Sequence, residues 1–100
     1  MDKMLYLRVF VLFIDDITMT TGLTLMKISK QANFNRMLYY NSKRIISGKN
    51  AFNPKFSLIF LLYLSQFFGV PCDIPAYLKI IAEQDRLKLL SEVPIDEVTT

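Results

Sequence analysis

Three isolated glycines, Gly22, Gly48 and Gly69, each fall just after a segment whose apolar residues recur at three- and four-residue spacing. That punctuation constrains the chain more than any other feature, because a glycine just past such a segment is a helix stop. The first helix is expected from the apolar stretch Met4 to Ile14 through Ile17 to Thr21. Leu5 to Phe13 also holds two valines, two phenylalanines and a tyrosine, so a strand is the alternative there. Thr24 caps a second helix from about Leu25 to Ala32, with Lys27, Lys30 and Gln31 on its polar side. Asn33-Phe34-Asn35 forms a short turn, since asparagine tolerates left-handed backbone and Asn35 is a good cap. A third helix runs from Arg36 to about Ile46, with Leu38 and Ile45 inward, joined by Tyr39 or Ser42. Met37 is expected to pack with them.

Asn53 and Pro54 look like the cap and first residue of a fourth helix. Phe56, Ile59, Phe60, Tyr63, Leu64 and Phe67 make one helical stripe, and Leu58, Leu61, Leu62 and Phe68 cover much of the rest. Apolar nearly all round, this helix is expected at the centre of the core. Gly69-Val70-Pro71 stops it, and Asp73 caps a fifth helix from Ile74-Pro75 to about Leu90. Cys72 is expected as a small buried side chain. The fold class is therefore all-α: a compact bundle of about five helices, one domain over residues 1–90, with 91–100 as a short frayed tail.

The bulk chemistry narrows the function. One cysteine and no histidine leave no disulfide and no usual zinc or transition-metal ligand set, so no metal or cofactor is expected. The commonest general base is missing too, and the neighbouring Asp15 and Asp16 point to different sides of a helix. An enzyme is not expected. Met4 to Ile14 is eleven residues long and contains Arg8, whereas a bilayer span needs about 20 apolar residues. No small-residue cleavage site follows it, so a cytoplasmic protein without a membrane segment is expected.

The net charge of +3 hides an uneven distribution. From Ile17 to Cys72 there is no acidic residue, while Lys27, Lys30, Arg36, Lys43, Arg44, Lys49 and Lys55 supply seven positive charges. Such a block, in a chain otherwise slightly acidic, is the footprint expected where a polyanion docks and releases its counterions; the alternative is a solvated face that happens to be basic.

Two helices joined by a short turn, then a glycine loop and a long apolar helix, make the layout of helix-turn-helix domains. Residues 22–71 resemble the lambda-repressor-like helix-turn-helix family, which includes the Cro and Xre-type regulators. Gly22-Leu23-Thr24, Arg44-Ile45-Ile46-Ser47-Gly48-Lys49, and the segment from Asn53-Pro54 to Phe68-Gly69-Val70-Pro71 carry the resemblance. It implies a sequence-specific transcriptional regulator that binds double-stranded DNA with the helix-turn-helix, the second and third helices, docked in the major groove. Leu25 stands where the family commonly has a glutamine bracing the phosphate contacts, which leaves that role to Thr24 or Lys27.

Asn35, Arg36, Tyr40, Lys43 and Arg44 are the candidates for reading bases, because arginine pairs bidentately with guanine and asparagine with adenine. Thr24, Lys27, Lys30, Lys49 and Lys55 are the candidates for phosphate contacts, which outnumber base contacts in such interfaces. Apolar residues make up 52% of the chain, above the usual level of about 45–50%. A homodimer is therefore expected, through Met4 to Phe13, through Leu58, Leu61 and Leu62, or through Tyr77, Ile81 and Leu87. The rival expectation is a protein-interaction module of the same fold, an adaptor or an antitoxin partnered by a toxin, with no DNA activity of its own.

Overall fold

The computed structural model describes residues 1–92 and contains five helices, with no strand among the described residues. Helix α1 spans Lys3–Thr21, α2 Leu25–Gln31, α3 Met37–Ile46, α4 Leu58–Phe68 and α5 Ile74–Glu92. The strand alternative at Leu5 to Phe13 is not realised. Asp2 caps the helix there, its carboxylate accepting from the Leu5 amide at 2.9 Å. Ser91 and Glu92, expected in the tail, belong to α5, and the remainder of that tail lies outside the described residues.

The central helix is α1, not α4 as expected. Leu7, Val9, Phe10, Phe13, Ile14 and Ile17 are all buried, and α1 packs against each of the other four helices. Its apolar residues cover a wide arc, which lets several partners dock at once. Helix α4 is one-sided: Leu61 and Leu64 are fully buried, whereas Ile59 is 76% and Leu62 51% exposed. The six-residue stripe from Phe56 to Phe67 is not its buried face. That face is Phe60, Leu61, Leu64 and Phe68, and it joins the core with Val70.

The start of α4 differs for a related reason. Ser57, not Asn53, is the cap, its hydroxyl accepting from the Phe60 amide at 3.3 Å. Pro54 is buried in a loop, and Phe56 leaves the helix to stack on Tyr6 at 4.9 Å and on Phe10 at 4.5 Å. The offset aromatic contact with α1 offsets the lost helical turn.

Helices α1 and α2 meet at 96°, hinged after Gly22. Thr24 caps α2 as expected, accepting from the Lys27 amide at 3.3 Å. Asn33 takes the left-handed conformation at φ 58°, turning the chain into α3. Two adjacent acids on α1 fasten different helices. Asp15 accepts from the Tyr39 hydroxyl of α3 at 2.7 Å, and Asp16 from the Tyr77 hydroxyl of α5 at 2.6 Å. Arg8 adds an ion pair with Asp85 at 2.9 Å. Beyond Ile81, every described residue of α5 is exposed. Cys72 is half-buried beside the core, and burial pushes its thiol pKa up. Among the described residues no single helix is long and apolar enough to cross a membrane.

Candidate nucleic-acid interface

Helix α3 lies against α1 through Leu38, Tyr39 and Ser42, with Ile46 beside Val11 and Leu12 of α1. Ser42 is fully buried, and its hydroxyl donates to the Leu38 carbonyl at 2.6 Å, so a small side chain sits at the contact without an unpaired polar atom. The Tyr39 hydroxyl is held by Asp15, and burial and that carboxylate together push its pKa well above the ordinary tyrosine range. These contacts fix the rotation of α3 about its axis. Arg36, Met37, Tyr40, Lys43 and Arg44 are thereby left on the exposed side.

The exposed side is not flat. Lys30, Asn35 and Arg36 border one shallow depression with Met26, Ser29 and Phe34. Tyr40, Lys43, Arg44 and Lys49 border a second with Met37 and Ser47. A third is formed by Met37, Asn41 and Arg44 of α3 with Asn50, Ala51 and Phe52 of the following loop. Seven of the ten candidate contact residues thus line two hollows, one between α2 and the turn before α3 and one along α3 itself. Thr24, Lys27 and Lys55 are exposed but line none of the three.

Local hydrogen bonding qualifies some roles. The Asn35 side-chain oxygen accepts from the Met37 amide at 2.9 Å, which closes the start of α3. That bond occupies one lone pair of the oxygen, leaving the second lone pair and the amide N–H groups for an outward partner. The Thr24 oxygen is similarly engaged by Lys27. The Lys43 ammonium sits 5.3 Å from the Tyr39 ring centroid, which holds it along the flank of the helix. No comparable restraint ties Arg36 or Arg44 among the described residues.

Met37 was expected to pack and is instead exposed, because the inner arc is already filled by Leu38, Tyr39 and Ser42. Asn41, Asn50 and Phe52 join the surface without having been anticipated. The spacing Met37, Asn41, Arg44 is a helical stripe and was open to recognition. Nothing in the sequence brings residues 50–52 back beside α3.

Among the described residues, no three His, Cys, Asp or Glu side chains gather as a metal site requires. The carboxylates of Asp15 and Asp16 are directed to different helices by their tyrosine partners. No protein-family model, curated protein or solved structure matches the chain.

Proposed function

We propose that the chain is a sequence-specific, double-stranded-DNA-binding transcriptional regulator of the lambda-repressor-like helix-turn-helix type, working in the cytoplasm. In this reading α2 crosses the phosphate backbone and α3 enters the major groove. The observation that carries it is the outer side of α3: Arg36, Tyr40, Lys43 and Arg44 face away from the core, flanked by Lys30 and Lys49. The whole surrounding segment, Ile17 to Cys72, lacks an acid that would repel phosphate. Arg36 and Arg44 supply base recognition, and the lysines position the duplex. Gel-shift titration against fragmented genomic DNA tests it. A preferred fragment at moderate salt is expected, and absence of binding at low salt overturns the reading.

The regulator acts as a homodimer in this proposal, matching two half-sites about 34 Å apart. Of the surfaces expected to pair, Leu61, Tyr77 and Ile81 are excluded because they are buried in the core, and in Met4 to Phe13 only Met4 is exposed. Of the expected residues Leu58, Leu62 and Leu87 remain exposed, and Ile59, Tyr63 and Phe67 widen the first two into an apolar face on α4 around Gln66. Five large side chains about half exposed offer roughly 500 Å², a large part of the ~800 Å² per partner of a standard interface.

That same face favours one second reading: a protein-interaction module, adaptor or antitoxin, whose apolar α4 meets a different protein. Purification of the tagged chain from its host separates the two. A stoichiometric foreign partner together with no salt-dependent DNA affinity favours the module.

A further inference from the structure

Phe52 stands apart from every other phenylalanine in the chain. The other seven, Phe10, Phe13, Phe34, Phe56, Phe60, Phe67 and Phe68, each contact another aromatic ring, and Phe52 does not. It is 87% exposed, more than any other large apolar side chain described. A phenylalanine left in water forgoes about 1.5–3 kcal/mol that burial against another surface would recover.

The loop that carries it is pinned at both ends. At one end Gly48 adopts φ 80°, with the Lys49 amide donating to the Arg44 carbonyl at 2.9 Å, which turns the chain back at the end of α3. At the other, Pro54 is buried and Phe56 stacks on α1. Between these anchors Asn50, Ala51 and Phe52 wall a depression with Met37, Asn41 and Arg44, which brings Phe52 beside the exposed stripe of α3.

Resting on the DNA-binding reading above, we propose that Phe52 is a specificity-determining residue that packs on the C5-methyl group of a thymine in the major groove beside α3. Along base edges in that groove the thymine methyl is the apolar feature, and phenylalanine is one of the side chains that reads it. Asn41, Asn50 and Arg44, lining the same hollow, supply hydrogen-bonding groups for the polar edges around that methyl.

Parallel selections from a randomised duplex library, using the full chain as wild type and as Phe52→Ala, test this. The wild type is expected to return a motif with one position fixed as thymine, and Phe52→Ala a motif degenerate there. Replacing that thymine by uracil in the selected duplex removes only the methyl. It should weaken the wild type roughly three- to ten-fold and leave Phe52→Ala unchanged. Phe52→Leu should keep part of the preference, and both variants should melt with the wild type because the side chain is exposed. Identical motifs from both proteins overturn the inference while leaving DNA binding standing. A Phe52→Ala protein that retains the thymine but loses DNA bending, read by end-to-end fluorescence transfer, also overturns it and makes Phe52 a wedge. A wild type that selects nothing overturns this inference together with the DNA-binding reading.

Discussion

Helices α3 and α4 are of similar length, both lean on α1, and both leave one face uncovered, yet the two faces differ in kind. The outer side of α3 carries Arg36, Tyr40, Lys43 and Arg44, and that of α4 carries Leu58, Ile59, Leu62, Tyr63 and Phe67. A cationic face is stable in water on its own and gains most from a polyanion. An apolar face of that size gains most from another apolar surface. In the proposed reading the difference separates two tasks, DNA contact and self-association, onto two helices that can be altered independently.

The largest effects come from crossing the boundary between the inner and outer sides of α4. Leu61→Lys places an unpaired ammonium in the core and is expected to unfold the chain, costing more than the about 2–5 kcal/mol of a buried Leu→Ala change. Leu62→Lys, one residue on, should leave the chain folded and shift sedimentation equilibrium toward monomer. Unchanged folding in Leu61→Lys would reverse the assignment of the two sides.

On α3, Arg36→Ala and Arg44→Ala should each cost about 1–3 kcal/mol of DNA affinity where the guanidinium reads a base, with thermal melting unaltered. Loss confined to one base position identifies base reading, and a uniform loss identifies phosphate contact. If neither variant loses affinity, α3 is not the recognition helix.

A smaller effect tests how α3 is held. Tyr39→Phe removes the hydrogen bond to Asp15 and should cost about 1–2 kcal/mol of stability in urea denaturation. Burial and Asp15 raise the Tyr39 pKa in the folded chain above its ordinary value of 10.0, and burial and Asp16 do the same for Tyr77. Both hydroxyls then stabilise the fold fully below pH 10 and progressively less above it, as the unfolded chain ionises first. The wild type should lose stability above pH 10, and the Tyr39→Phe, Tyr77→Phe double variant should lose less over the same range.

Much of this architecture was legible because its signals are local. Thr24, Asn33, Gly69 and Asp73 act through their immediate neighbours, and the helix boundaries they set agree with the structure. Which apolar helix takes the centre is a competition between distant segments, and α1 wins it because its buried residues surround more of its axis than those of α4. Pro54 and Phe56 depart from the local pattern for the same reason: a helix start at Asn53 suits the adjacent residues, but the rings of Tyr6 and Phe10, far away in sequence, claim Phe56. The cationic stripe of α3 was readable from its spacing. The approach of Phe52 to that stripe depends on a loop path that no periodicity encodes.

The most direct measurement is the salt dependence of duplex binding, followed by fluorescence anisotropy with the selected duplex. The logarithm of the affinity should fall linearly with the logarithm of salt concentration, with a slope of about −0.9 for each phosphate neutralised. Lys49→Ala should make that slope shallower by about 1 while leaving base preference intact. An affinity indifferent to salt, or no binding even at low salt, would contradict the account that the acid-free segment around α3 is a DNA-binding surface.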